Sequence, residues 1–141
     1  MSVFNPKIRE FLNGNKFAVA GASEDREKYG NKVLRAYLQN ELNVVPVNPH
    51  SETIEGRPVA SSLIQIPDEV DSVSIVTPPN VTELVVKQAI AKGVRNIWMQ
   101  PGAESNQAIQ LAEAAGLNVI ADGPCVLVAL RYKESDKSTD A

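Results

Sequence analysis

"KFAVAGASEDREKYGNKVLR", residues 16–35, sets the architecture of this chain. It passes from a short apolar segment into a glycine, a charged loop and then a helical pattern. Gly21 allows a sharp turn after the predicted strand, and the small residues Ala22 and Ser23 keep backbone N–H groups open to a phosphate. The Ser23 hydroxyl adds one more donor. The turn is typical of a phosphate site, although similar turns also end buried strands that bind nothing.

Five short apolar segments are predicted as strands, namely residues 17–21, 44–47, 72–77, 96–100 and 118–122. Their apolar residues are continuous, which indicates burial on both faces, as in a parallel sheet. Helical patterns cover residues 5–12, 31–42, 81–90 and 103–115. This alternation predicts an α/β fold: a single doubly wound, mostly parallel five-stranded sheet of Rossmann-like type, with helices on both faces. With the predicted strands numbered along the chain, the expected spatial order is 3-2-1-4-5.

The connection between the second and third predicted strands is the least regular part of the interior. Residues 48–71 are rich in Pro, Ser and Gly, and only residues 62–65 are predicted to form a short helical turn. No repeat and no second domain is predicted. Residues 1–132 are therefore expected to form one Rossmann-like domain. Residues 133–141 carry almost no apolar side chain and are expected to be a disordered tail.

Composition limits the classes of function. The chain has 141 residues, of which 43% are hydrophobic and 22% are charged, as in an ordinary soluble domain. Its formal net charge of -3 argues against a nucleic-acid platform, which normally carries a basic stripe. No apolar run is long enough to cross a membrane, and the N-terminus lacks the pattern of a signal peptide. The single cysteine, Cys125, cannot form an internal disulfide, so a cytoplasmic location is expected.

Ligands of such sheets collect at the carboxyl ends of the strands. Each predicted strand is followed there by small, polar or turn-forming residues, and this convergence predicts a binding site. The five loops are residues 21–30, 48–49, 77–80, 100–104 and 122–125. The loop "TPPN" has a second explanation as a rigid turn in which Asn80 is the N-cap of the next helix.

The turn after the first strand departs from the dinucleotide-binding fingerprint G-x-G-x-x-G. Ser23 and Arg26 stand where that pattern requires glycines, and Gly30 comes too late. An NAD site usually has Asp or Glu at the end of its second strand, where this chain has Asn48. The cations of the loop are interleaved with acidic residues, a pattern more typical of a solvated surface than of a phosphate clamp.

Candidates for catalysis and metal binding are few. His50 is the only histidine, and no C-x-x-C or H-x-x-x-H pair occurs, so no metal site is predicted. Cys125 is expected to pack in the interior rather than to act as a nucleophile. Glu104 lies near a predicted helix start, where an interaction with the helix dipole explains it better than a role as a general base. Trp98 and Met99 are expected to fill the core. No catalytic residue is assigned.

Seven short sequence words, in order and in register, carry a family resemblance across residues 16–126. The chain resembles the small, stand-alone CoA-binding proteins of Rossmann-type fold, which are similar to the N-terminal CoA-binding domain of the succinyl-CoA synthetase α subunit. No single word is diagnostic, and the seven together identify the family. They are "VAGAS", "KYGNKV", "VVPVNP", "IEGRPV", "VDSVSIVTPP", "WMQPGAE" and "AGLNVIADGPC".

The resemblance implies that coenzyme A (CoA) or an acyl-CoA lies across the carboxyl edge of the sheet. The first turn would lie against the phosphates, the start of the next helix near the nucleotide, and the fourth loop along the pantetheine. An asparagine after the second strand does not repel the ribose 3′-phosphate of CoA, as an acidic residue would. The residues so implied are Gly21, Ala22, Ser23, Lys28, Tyr29, Gly30, Asn31, Lys32, Asn48, Pro49, Thr77, Pro78, Pro79, Gln100, Pro101 and Gly102.

Non-catalytic binding of CoA or an acyl-CoA, as a sensor, carrier or accessory subunit, is the function that the resemblance implies. The synthetase subunit has a second domain bearing the phosphorylated histidine, for which this chain has no room, so ligase activity is not expected. Pro124 stands where many relatives have a basic residue. Two alternatives stay open: a nicotinamide-dependent oxidoreductase on the same fold, and a scaffold with a vestigial pocket. The expected partners are a CoA-type small molecule and either a partner enzyme or a second copy of the chain, with no nucleic acid and no membrane.

Overall fold

A computed structural model describes residues 5–134, so most of the predicted disordered tail lies outside the described residues. The helices are α1 (Pro6–Leu12), α2 (Tyr29–Gln39), α3 (Pro79–Lys92), α4 (Asn106–Ala114) and α5 (Val126–Ala129). The strands are β1 (Phe17–Ala20), β2 (Val44–Val47), β3 (Thr53–Ile54), β4 (Arg57–Pro58), β5 (Ser72–Ile75), β6 (Asn96–Met99) and β7 (Asn118–Ile120). A 3₁₀ turn at Leu63–Gln65 matches the predicted helical turn, whereas the β3–β4 hairpin and α5 were not predicted.

Five of the strands form one parallel sheet in the order β2-β1-β5-β6-β7. The predicted α/β class and the Rossmann-like parallel sheet are confirmed. The predicted order 3-2-1-4-5 was wrong, because the third predicted strand, β5, lies beside β1 instead of outside β2. The observed order is therefore 2-1-3-4-5 in the same numbering.

Pro46 gives the physical reason for the difference in order. It lies in β2 opposite Val19 of β1, and a proline has no N–H with which to bond a second neighbouring strand. Proline is therefore confined to edge strands, and β2 is the edge of this sheet. The order 3-2-1-4-5 would have placed β2 between two strands and left one ladder bond unmade. As a consequence, the chain reverses its direction across the sheet between β1 and β5, and a ligand crevice is expected there.

Both faces of the sheet are covered by helices, as predicted. One face packs Ala18 and Val73 against α3 and α4, and the other packs Phe17 against α1 and α2. Trp98 and Met99 are fully buried on opposite faces, which confirms their predicted role in the core. The ring of Trp98 meets Phe11 of α1 edge-on, with a centroid separation of 5.2 Å.

The ends of the helices follow from individual residues. α3 begins at Pro79 with Pro78 as its N-cap and no side-chain cap, so the alternative role of Asn80 as the N-cap was wrong. Proline occupies the first helical position readily, because its fixed φ suits a helix and its missing N–H needs no partner there. Gly93 ends α3 with a φ of 89°, in the left-handed conformation that favours glycine. Among residues 5–134, no helix is long and apolar enough to span a membrane.

Candidate functional site

The turn after β1 depends on two glycines that lie against each other. Gly21 has a φ of 97°, and a Cβ atom there would lie 2.9 Å from the carbonyl carbon of Val76. A Cβ atom on Gly30 would collide with the carbonyl oxygen of Gly21. The first turn of α2 therefore packs directly on the turn after β1. Gly30 does arrive later than the dinucleotide fingerprint requires, yet it still permits the close approach of helix and strand for which that pattern uses a glycine.

Several backbone N–H groups of this turn are left without a protein partner. The N–H of Gly21 is used by the carbonyl of Val47. Across residues 5–134 no acceptor is found for the N–H groups of Ala22, Ser23, Tyr29 or Gly30. The last two groups belong to the first turn of α2, whose N-cap residue makes no side-chain hydrogen bond to the helix. Donors of this kind at a helix N-terminus, with the positive end of the helix dipole behind them, have the chemistry that favours an anion.

The side chain of Asn31 holds the turn after β1 by hydrogen bonds. Its Nδ2 donates to the carbonyl of Ser23 at 2.9 Å and to Oε2 of Glu55 at 3.0 Å. Its Oδ1 accepts from Nε of Arg35 at 2.7 Å. Glu55 belongs to the β3–β4 connection and also lies 3.4 Å from Nε of Arg26. Asn31 is fully buried, so it positions the turn and does not line the cleft.

Asn48 connects the end of β2 to the same turn. Its Nδ2 donates to the carbonyl of Ala22 at 2.8 Å, and its Oδ1 accepts from the N–H of His50 at 2.7 Å. An aspartate at this position would present an oxygen to the Ala22 carbonyl, where a donor is required. The departure from the acidic residue of NAD sites therefore also has a local structural reason.

These elements surround a cleft of about 580 Å³ at the carboxyl ends of β2, β1 and β5. It lies where the sheet order reverses, as expected of a ligand site in an open α/β fold. The structure brings ten of the predicted site residues together in its lining, namely Gly21, Ala22, Ser23, Lys28, Tyr29, Gly30, Asn48, Pro49, Thr77 and Pro78. Among the lysines of residues 5–134, Lys28 lines this cleft.

One wall of the cleft was missed by sequence reasoning. Val81, Leu84 and Val85 of α3 line it, and Leu84 is 55% exposed. The sequence predicted a helix over these residues but assigned none of them to the site. His50 and Gln88 also line the cleft. A wide apolar face on a helix that begins at a ligand-bearing edge was the signal that could have found this wall.

The other predicted site residues lie outside the lining of the cleft. Lys32 extends from α2 towards Glu134, with its Nζ 3.2 Å from Oε1 of that residue. Gln100 is fully buried at the end of β6. The remaining members of this group are Asn31, Pro79, Pro101 and Gly102.

Tyr29, Gln100 and Cys125 form a second polar group next to the cleft, here called the Cys125 cluster. The Tyr29 hydroxyl donates to Oε1 of Gln100 at 3.3 Å and lies 2.5 Å from Sγ of Cys125. Oε1 of Gln100 also accepts from the N–H of Val126 at 2.9 Å. Burial, with a further contribution from the contact with Cys125, raises the pKa of Tyr29 above its usual range. Cys125 is only half-buried, so it is not the closed packing residue expected from the sequence.

A cleft of about 540 Å³ also lies at the opposite, amino edge of the sheet. It is lined by the end of α1, by the segment before β5 and by the end of α3. Asp71 there accepts from the N–H groups of Asn15 and Lys16 at 2.7 and 3.0 Å. Within residues 5–134, no three His, Cys, Asp or Glu side chains are grouped so that they could hold a metal ion.

Comparison with known proteins gives consistent matches. A profile of the family described as CoA binding domain matches residues 15–131. The uncharacterised protein YneT of Bacillus subtilis is 27% identical over 124 residues, covering 87% of this chain and 91% of that protein. The α subunit of the ADP-forming acetate–CoA ligase II of Pyrococcus furiosus is 29% identical over 128 residues.

The extent of these matches differs. The alignment with the ligase subunit covers 82% of this chain but 28% of the subunit, so the chain corresponds to a minor part of that protein's length. A solved structure of a conserved hypothetical protein from Pyrococcus furiosus superimposes with a TM-score of 0.76 at 38% identity. That superposition covers 82% of this chain and 98% of the other.

Proposed function

The chain belongs to the family of CoA binding domains, and from that premise we propose that it binds CoA or an acyl-CoA in the cleft at the carboxyl edge of β2, β1 and β5. The observation that carries the proposal is the group of four backbone N–H donors, at Ala22, Ser23, Tyr29 and Gly30, that have no acceptor within residues 5–134. A pyrophosphate supplies several acceptor oxygens and negative charge, which match N–H donors in a turn and at the N-terminus of the helix that packs on it.

The rest of the cleft suits the other parts of the same ligand. Lys28 can neutralise part of the phosphate charge. The apolar surface of Val81 and Leu84 on α3 suits the adenine ring or the methyl groups of pantetheine, because both lose contact with water on binding there. Asn48 and Pro49 form the wall that we assign to adenosine, while Gln100, Pro101 and Gly102 extend the carboxyl edge in the direction assigned to pantetheine.

We assign the protein a non-catalytic role as a sensor, carrier or accessory subunit in the cytoplasm. The support for this role is that the ligase relative carries the matching segment within a larger subunit. A protein with this domain therefore fits as the CoA-binding part of an assembly, with a partner enzyme or a second copy of the chain.

Calorimetric titration with CoA in reducing buffer tests the proposal. We expect saturable binding of CoA, weaker binding of dephospho-CoA, and no measurable binding of NADH. Equal affinity for dephospho-CoA would contradict the proposed 3′-phosphate contact, and tighter binding of NADH would favour a nicotinamide-dependent oxidoreductase. Binding of none of these nucleotides would favour a scaffold with a vestigial pocket.

A pair of variants in one loop locates the site. Ser23→Leu puts a bulky side chain beside the proposed phosphate position and should reduce CoA affinity by roughly tenfold or more, because it blocks the N–H donors. Glu24→Leu introduces the same side chain at the next residue, which is exposed and outside the cleft lining, and should leave the affinity unchanged. Thermal unfolding of both variants without ligand checks that the fold is retained.

A further inference from the structure

The half-buried thiol of Cys125 lies one side chain away from the cleft. Its Sγ contacts the hydroxyl of Tyr29, and Tyr29 lines the cleft. The same hydroxyl donates to Oε1 of Gln100, so thiol, phenol and amide form one chain of hydrogen bonds beside the ligand site. Tyr29 therefore lies between the cleft and Cys125, the one cysteine of the sequence.

The amide of Gln100 leaves one buried donor of this cluster without a partner among the described residues. Its Oε1 faces the N–H of Val126, and because a backbone N–H can only donate, this contact fixes which end of the amide is the oxygen. Its Nε2 is buried and has no hydrogen-bond partner among the described residues. A buried donor without an acceptor is costly in a folded protein, and a carbonyl oxygen brought by a ligand would satisfy it.

We propose that Cys125 is a thiol–disulfide exchange site, at which CoA disulfide bound in the cleft forms a mixed disulfide with the protein. The inference rests on the proposed function, because the cleft must first hold the nucleotide part of the ligand. Pantetheine fits the cluster chemically, since its last amide carbonyl is separated from its sulfur by only one nitrogen and two methylene groups. One ligand can therefore present a carbonyl to Gln100 and a sulfur to Cys125.

The exchange step needs no reagent besides the disulfide. The Cys125 thiol loses its proton to water, and the thiolate attacks one sulfur of CoA disulfide. A bond forms between Sγ and that sulfur while the original S–S bond breaks, and the second CoA leaves as a thiolate that takes a proton from water. Cys125 is oxidised and the departing CoA is reduced. Burial raises the pKa of Tyr29 and keeps its phenol protonated, so its one hydrogen can turn from Oε1 of Gln100 to the sulfur as the thiolate forms.

Intact-mass measurement under two disulfides tests the inference. Reduced and desalted protein is incubated with CoA disulfide or, at equal concentration, with glutathione disulfide. We expect one CoA per chain, formed roughly tenfold or more faster than the glutathione adduct, because binding in the cleft raises the local concentration of the reacting sulfur. An excess of desulfo-CoA, which binds without reacting, should slow only the reaction with CoA disulfide.

A serine variant separates the inference from the proposed function. Cys125→Ser should form no adduct while binding CoA in reducing buffer with an affinity like that of the unmodified protein. If the protein binds CoA but reacts with both disulfides at the same rate, or forms no adduct, the inference is wrong and the proposed function stands. If CoA does not bind in reducing buffer, the proposed function is overturned, and the inference with it.

Discussion

The two edges of the sheet carry clefts of similar volume but different chemistry. The cleft at the carboxyl edge measures about 580 Å³ and the one at the amino edge about 540 Å³. At the amino edge, Asp71 accepts from the backbone N–H groups of both Asn15 and Lys16. At the carboxyl edge the N–H groups that follow Gly21 have no protein acceptor among the described residues. The two clefts therefore differ in the acceptor that the protein supplies: Asp71 accepts from loop N–H groups at the amino edge, whereas Ala22 and Ser23 have no acceptor among residues 5–134.

Among these variants, Gly30→Ala is expected to lower the free energy of unfolding and the CoA affinity the most. The added Cβ would collide with the carbonyl oxygen of Gly21, so α2 must move away from the turn and carry its N–H groups with it. We expect a loss of about 1–3 kcal/mol in the free energy of unfolding, and weaker CoA binding. Denaturant unfolding and calorimetry measure the two effects.

Gly123→Ala is the control for that change. A Cβ there would meet no atom within 4 Å, and the backbone is not in the left-handed region. The free energy of unfolding should therefore change by less than about 0.5 kcal/mol. Equal losses in the two variants would show that helix packing on the turn is not what Gly30 provides.

Asn48→Asp and Asp71→Ala compare the two edges directly. The first change replaces the donor that faces the Ala22 carbonyl, and the second removes the acceptor of two backbone N–H groups at the amino edge. Each should lower the free energy of unfolding by about 1–2 kcal/mol, because a hydrogen-bonding group loses its partner. Only Asn48→Asp should also weaken CoA binding. A comparable loss of CoA affinity in Asp71→Ala would contradict the assignment of the CoA site to the carboxyl edge alone.

The smallest change in CoA affinity is expected from replacing Lys28 or Lys32. Lys28 lines the cleft, whereas Lys32 pairs with Glu134. Lys28→Ala should weaken CoA binding by about 1 kcal/mol, roughly fivefold, and the difference should shrink at high salt, because screening reduces interactions between exposed charges. Lys32→Ala should change the affinity less. Calorimetric titration of both variants with CoA at two salt concentrations measures these changes. A larger loss of CoA affinity in Lys32→Ala than in Lys28→Ala would assign the phosphate contact to Lys32 instead.

Much of the fold was predictable from local pattern, and the error in strand order was avoidable. Continuous apolar runs located all five strands of the main sheet within two residues. Pro46 was visible in the second of them and would have placed that strand at the edge. The β3–β4 hairpin and α5 are too short to show a periodicity of their own, so pattern reasoning had no means of finding them.

The candidate site was predicted less completely than the fold. The loop after β1 and Asn48 were identified because turn residues at strand ends converge at one edge of a parallel sheet. Lys32, Asn31 and Gln100 were placed in the site by the family resemblance, and the directions of their side chains were not predictable from the sequence. Lys32 lies on α2 at a position directed to Glu134, which is more than one hundred positions away in sequence. No local pattern reports such a contact.

The sequence by itself determined the class of fold and the glycine-led turn at the carboxyl edge of the sheet, because apolar periodicity and backbone conformation are local properties. Only the tertiary structure decided that β5 lies beside β1, that Gly30 packs on Gly21, and that Tyr29, Gln100 and Cys125 meet. Those outcomes depend on steric fit and hydrogen bonding between segments far apart in the chain. Such contacts exist only once the helices have packed on the sheet.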